Sequence, residues 1–190
     1  ADKSKEQTLG ETKKICETYG VPIRELERNT PWANRAELYV GILKRAIRKD
    51  LKESNCPMVL WDYCEERRAK VNNMTARDLF QLQGQTPEFH VTGLEPDISN
   101  ICRFEWYEWI YYKDEGPSFP ESQWVLGRAL GPTVNAGNAM SQWVMRVDGR
   151  VFPRRTVRSL STEEIHSEVE QKKRETYDKA IKHLLGDSLE

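Results

Sequence analysis

Histidine and cysteine are scarce in this 190-residue chain, at 3 and 4 residues. Cys16, Cys56, Cys64 and Cys102 stand far apart with no C-x-x-C pair, and His90, His166 and His183 complete no zinc-ligand spacing. Zinc fingers and disulfide-stapled scaffolds are thereby set aside, and the cysteines read as reduced, buried residues of an intracellular protein. No run of about 18 apolar residues occurs, so no membrane-spanning helix is expected. Ala1-Asp2-Lys3-Ser4-Lys5 leads into polar sequence, so no secretory signal is read there. An excess of one charge is also missing: 29 Lys+Arg against 30 Asp+Glu give a formal net charge of -1. That argues against a uniformly basic nucleic-acid binder but leaves room for a local basic stripe. The chain lacks an initiator methionine and is expected to be a piece of something longer.

What is present is polar and aromatic. The mean hydropathy is -0.74. Six Trp, seven Tyr and five Phe suffice for at least one core, in one domain or two small ones. Residues 10–20 read as a short helix with Leu9, Ile15, Cys16 and Tyr19 inward and Gly20 as its stop. Residues 21–27 alternate apolar and polar, as a short strand would. After the Asn29-Thr30-Pro31 turn, Asn34 stands as N-cap to a helix over 35–52, with Ala36, Tyr39, Val40, Leu43, Ala46, Ile47 and Leu51 at helical spacing. Ser54-Asn55-Cys56-Pro57 breaks it and starts a second helix over 58–71. Leu60, Trp61, Cys64 and Val71 form its apolar side, and Glu65, Glu66, Arg67, Arg68 and Lys70 a solvated face. A short capped helix is expected at 75–80.

Residues 83–100 are loop-like, and a domain boundary is placed there. Beyond them the texture turns to β. Strands are expected at 104–112, 124–130, 141–147 and 150–152, with Gly131-Pro132, Gly137-Asn138 and Asp148-Gly149 as turns and Pro153 as an interruption before 156–158. So many short strands in so few residues predict a small closed barrel. Residues 163–185 read as a charged helical tail, either a solvated helix or an oligomer contact.

The chemistry-bearing pattern begins at Glu37. On a helix of about 100° per residue, Glu37, Gly41, Lys44 and Arg48 fall within about 60° of one another. A carboxylate in line with cations on a solvent stripe can hold a divalent ion while its neighbours bind phosphates. An ordinary solvated face with Glu-Lys pairs has the same pattern. In the barrel region, Arg128, Arg146, Arg150, Arg154, Arg155 and Arg158 suit phosphate contact, with Arg154-Arg155 the pair favoured, and Trp124 or Trp143 available to stack. The competing reading makes the tryptophans core and the arginines plain surface.

One family carries several of these patterns together. Ala1-Asp2-Lys3-Ser4, then Ile15-Cys16-Glu17-Thr18-Tyr19-Gly20-Val21, then Thr30-Pro31-Trp32-Ala33-Asn34-Arg35-Ala36-Glu37 resemble the end of the catalytic core of integrases of copia-type LTR retrotransposons. That family has an S-D-N-G-like strand end, an F-C-x-x-x-G-I pattern and a T-P-x-x-N-x-x-x-E helix start. Pro57 to Trp61, Asn72-Asn73-Met74-Thr75, residues 104–112, Leu126-Gly127-Arg128-Ala129-Leu130-Gly131-Pro132, Trp143-Val144 and Pro153-Arg154-Arg155-Thr156-Val157-Arg158 extend the resemblance to about residue 160. Two departures stand out: Lys3-Ser4 in place of Asn-Gly, and one residue fewer between Asn34 and Glu37.

The resemblance implies an α+β chain. Residues 1–82 would be part of a ribonuclease-H-like core, 83–102 a linker, 103–160 an SH3-like barrel and 161–190 a charged tail. Asp2 and Glu37 would be the second and third acids of an Asp-Asp-Glu triad, ligands to Mg²⁺ or Mn²⁺. Asn34, Lys44, Arg45, Arg48, Arg154 and Arg155 would contact double-stranded DNA. The activity implied is metal-dependent 3′-processing and strand transfer in the nucleus, by a homo-oligomer with no membrane association. The first Asp of the triad would lie upstream, and two carboxylates do not hold two ions about 3.5–4 Å apart. These 190 residues alone are therefore expected to be inactive. The alternative is a non-catalytic DNA- or chromatin-binding module derived from an integrase.

Overall fold

Alternating large apolar residues, broken by glycine and proline turns, place the strands of the second half of the chain. A computed structural model describes residues 10–22, 35–76, 78, 80–114, 116, 120, 122–133 and 140–186. The chain divides into two compact units, Ala1–Arg45 and Ala46–Glu190. The fold class is α+β, with helices and one antiparallel sheet.

In the first unit, helix α1 (Glu11–Thr18) stops where Val21 N–H closes on the Cys16 carbonyl at 2.8 Å, with Gly20 at φ 65°. Ile15 and Tyr19, expected inward, are exposed. The strand expected over 21–27 lies mostly outside the described residues, and residues 21 and 22 are not in a strand. Helix α2 (Arg35–Glu53) begins in this unit and ends in the second.

In the second unit, Ile47 and Leu51 are the buried residues of α2. The helix ends as Cys56 N–H reaches the Leu51 carbonyl at 3.1 Å and Asn55 turns to φ 52°. A 3-10 turn (Met58–Leu60) leads into α3 (Trp61–Met74). The face of α3 expected to be solvated is instead partly turned inward. Arg67 lays its alkyl chain over Gly131 and donates to the Phe104 carbonyl at 3.4 Å, and Lys70 donates to the Thr133 carbonyl at 3.3 Å. Arg68 Nε donates to Asp50 at 2.8 Å, while Trp61 is exposed. The cause is that α3 has few apolar residues to cover the sheet, so the methylene stem of Arg67 does so over Gly131. Tyr63 meets Trp143 edge-on at 5.8 Å. Among the cysteines, Cys56 and Cys64 are buried as expected, whereas Cys16 is half-buried and Cys102 exposed. Among the described residues of 75–80 no α-helix forms; a 3-10 turn (Phe80–Leu82) follows instead.

The stretch expected as a linker carries α4 (Pro87–Thr92), capped by the Thr86 hydroxyl and stopped by Gly93 at φ 72°, and α5 (Ser99–Cys102). Gln142 Nε2 donates to the Asn100 carbonyl at 2.9 Å, tying this stretch to the sheet. Ile101 and Phe104 are buried.

The sheet consists of β1 (Trp109–Lys113), β2 (Trp124–Pro132), β3 (Gln142–Met145), β4 (Val151–Arg154) and β5 (Val157–Ser159). Its order is β4-β3-β2-β1-β5, with every pairing antiparallel. Ile110, Tyr112, Ala129, Val144 and Val157 form the core with Phe104, and Val125 and Phe152 pack against it. The first strand begins later than the aromatic run predicts, because Tyr107 turns to φ 60° while its N–H reaches the Ala129 carbonyl. Pro153 lies inside β4 and does not interrupt it, since β4 is an edge strand where a missing N–H costs no ladder bond. Gly149, at φ 76°, closes the β3–β4 hairpin.

The charged tail forms α6 (Thr162–His166), opened by a Ser161–Glu164 capping box, and α7 (Glu168–Leu185). α7 packs on the sheet. Tyr177 and Ile181 are buried, Tyr177 Oη donates to the Met145 carbonyl at 2.8 Å, and the Tyr177 ring meets Trp109 edge-on at 5.1 Å. Its apolar periodicity is weak because only these two residues are fully buried.

Candidate nucleic-acid interface

Two of the expected site residues, Asp2 and Asn34, lie outside the described residues. Glu37, Lys44 and Arg45 are exposed on the part of α2 in the first unit, and Arg48 is exposed on the part in the second. None of the four has an ion-pair partner among the described residues. Leu38, Val40 and Ile42, around Glu37, are also exposed. Among the described residues no group of three or more His, Cys, Asp or Glu is placed to hold a metal ion. Glu37, the one described member of the expected pair, does not by itself make a Mg²⁺ or Mn²⁺ site.

The six arginines of the sheet region divide by partner. Arg155 is exposed in the link between β4 and β5. Arg154 is half-buried, its guanidinium 4.5 Å from the Phe152 ring centre and donating to the Pro153 carbonyl at 3.3 Å. Arg146 and Arg150 share Asp148 at 3.7 and 3.8 Å.

The remaining two are not free to reach a phosphate, which corrects their reading as surface cations. Arg158 grips Glu164 with both guanidinium nitrogens at 2.7 Å and lies over Tyr111 and Trp124 at 4.7 and 5.2 Å. Those bonds hold the Glu164 carboxyl down at about 2, helped by the Ser161 backbone N–H. Arg128 is buried. It stacks at 3.3 Å on Trp109 and 4.3 Å on Tyr107, donates to the Tyr107 carbonyl at 2.9 Å, and pairs with Asp178 at 2.9 and 3.2 Å. Both arginines sit where they do because their strands fix them: Arg128 is opposite Trp109, and Arg158 is opposite Tyr111 two residues further along β1. Residues two apart on a strand share a face.

Tyr111 Oη, on that same face, donates to Glu170 of α7. Burial would raise the Glu170 carboxyl, but hydrogen bonds from Lys173 and Tyr111 hold it below its ordinary value. The Tyr111 phenol is pushed up by burial and by that carboxylate. A cleft of about 450 Å³ beside Arg128 is lined by Ser54, Asn55, Tyr107, Trp109 and Asp178 among others.

Glu164, Glu170 and Asp178 do not stand out in the sequence as site residues. The S-x-x-E capping-box pattern over 161–164 locates Glu164, whereas nothing local marks Asp178, which is 50 residues from its arginine. No protein-family model, no curated protein and no solved structure matches the chain.

Proposed function

We propose that this chain is the C-terminal part of a copia-type retrotransposon integrase, a DNA-handling segment that serves metal-dependent 3′-processing and strand transfer when joined to the rest of its catalytic core. The observation that supports this most is the strand order. A four-strand antiparallel meander whose fifth strand returns to pair with the first is the strand order expected of a small SH3-like barrel, and so supports this reading. Leu38, Val40 and Ile42 beside Glu37 add support, because aliphatic side chains flanking an exposed carboxylate suit a helix that belongs to a larger core. In this reading Lys44, Arg45 and Arg48 hold the DNA backbone along α2, and Arg154 at the end of β4 and Arg155 in the β4–β5 link reach further phosphates. Asp2 and Glu37 are the ligands this chain brings to Mg²⁺ or Mn²⁺. The segment acts in the nucleus, within a homo-oligomer.

A second reading is a DNA- or chromatin-binding module without catalysis. It is favoured by the way residues 46–190 close on themselves, with α3, α5 and α7 all tied to the sheet.

The test is duplex-DNA binding measured across salt concentrations. Arg154→Ala/Arg155→Ala and Lys44→Ala/Arg45→Ala/Arg48→Ala should each weaken binding for all sequences alike. Each should also flatten the dependence of log K on log[salt], by about 0.9 for every phosphate no longer neutralised. Unchanged affinity and slope in both variants would sink the DNA reading. Glu37→Gln, placed in a chain extended upstream to the full triad, separates the two readings: it abolishes strand transfer in the first and leaves DNA binding in either.

A further inference from the structure

We propose that α6 and α7 form an acidic strap whose carboxylates stand in for nucleic-acid phosphates on the β1–β2–β5 face, so that this face binds a polyanionic duplex only once the strap is displaced. The inference rests on the DNA reading above and assigns that reading a covered site and its control.

The face under the strap has the chemistry of a phosphate site. Two guanidinium groups flank β1, Arg128 stacked on Trp109 and Tyr107, and Arg158 over Tyr111 and Trp124. A planar fork held on an aromatic ring is pre-oriented for a two-pronged bond to a carboxylate or a phosphate. Here the acceptors are carboxylates from the strap: Glu164 on Arg158 and Asp178 on Arg128, with Glu170 on the Tyr111 hydroxyl between them. Each of the three therefore takes a donor of the sheet face that would otherwise be open to an anion.

The attachment is also of a kind that can be exchanged. Tyr177 and Ile181 are the buried residues of α7 and Leu185 lies against Gly149, while the strap's ties to Arg128, Arg158 and Tyr111 are polar. Asp178 is half exposed, so water and salt reach its pair with Arg128, and Glu170 has a second partner in Lys173 at 2.6 Å. A competing polyanion replaces like with like, carboxylate for phosphate, with no buried charge left unpaired.

The test uses the full chain and a fluorescein-labelled 20-base-pair DNA duplex, with affinity read by anisotropy from 50 to 300 mM salt. Glu164→Gln/Glu170→Gln/Asp178→Asn should bind at least tenfold tighter than the unaltered chain, with a salt slope steeper by the equivalent of about two more neutralised phosphates. The control Glu163→Gln/Glu168→Gln/Glu175→Gln removes as much charge from exposed positions and should gain no more than about threefold. Hydrogen exchange on the unaltered chain gives a readout free of any folding defect in the variants: α7 amides should lose protection as DNA saturates.

Equal gains in the two triple variants, or α7 protection that holds or rises with DNA bound, overturns the strap. If Arg154→Ala/Arg155→Ala still weakens binding in that case, the DNA reading survives and only the strap falls. If no form binds the duplex, both fall.

Discussion

Replacing Arg128 tests how the strap is held and how firmly the first turn of the sheet unit is built. The side chain does three things at once. Its bond to the Tyr107 carbonyl fixes a residue held at φ 60°, and losing a buried hydrogen bond of this kind costs about 1 kcal/mol. Its stacking at 3.3 Å on Trp109 and 4.3 Å on Tyr107, out of water, contributes about 1–2 kcal/mol. Its pair with Asp178 contributes about 1 kcal/mol or less, because that carboxylate is 52% exposed and rehydrates when abandoned. Arg128→Ala should therefore lose about 3 kcal/mol, which for a unit of this size lowers Tm by about 6–12 °C. Arg128→Lys keeps the charge but not the fork, and cannot serve the Tyr107 carbonyl and Asp178 together while lying flat on Trp109; it should lose about half as much. Urea unfolding with hydrogen exchange over residues 168–185 reads both effects. An alanine variant within about 0.5 kcal/mol of the parent, or a lysine variant equal to it, would refute the reasoning.

Gly127→Ala should destabilise by about 1–3 kcal/mol, since an added Cβ would stand 2.8 Å from the Met145 carbonyl oxygen and 3.0 Å from Val144, backbone on one side and core on the other; a melting point unchanged by the substitution would contradict that packing. Glu164 has its carboxyl held below its ordinary 4.5, at about 2, so its contribution is complete above pH 4.5 and drains away as pH falls toward 2. Stability against pH should accordingly fall less steeply across that window in Glu164→Gln, and identical slopes would remove the Arg158 pair as the cause. Burial pushes the Cys64 thiol up to about 12 and the Cys56 thiol higher still, so a maleimide at pH 7.5 should label exposed Cys102 in the folded chain and reach Cys56 and Cys64 only after unfolding. Rapid labelling of Cys64 in the folded chain would show that α3 does not stay packed.

Local chemistry made part of the architecture legible. Asn55 and Pro57 mark the break between α2 and α3, Asp148-Gly149 marks a hairpin, and the spacing of Ile47 and Leu51 marks the buried side of α2. Lys44, Arg45 and Arg48 are exposed as the same periodicity implies, whereas Tyr39 and Val40, expected on the buried side of α2, are exposed as well. Other features did not show because their cause is distant. Residues 87–92 and 99–102 are helical where a polar, Gly- and Pro-containing stretch reads as loop; Thr86 capping and the Asn100–Gln142 bond decide it. Arg67 reads as a solvated helix cation until Gly131 offers a surface for its methylenes. Arg128 and Arg158 look like Arg154 and Arg155 in sequence, yet only the folded arrangement distinguishes an arginine gripped by a carboxylate from one left at the surface.

The sequence by itself settled where short-range forces act: the break between α2 and α3, the Asp148-Gly149 turn, the run of short strands, and a charge balance near zero. Periodicity and turn stereochemistry operate over a few residues, so they can be read without a partner. Tertiary structure alone decided that the acidic tail lies against the aromatic face and that β5 returns to β1. Those pairings join residues about fifty positions apart, and their energies depend on which groups are shut away from water.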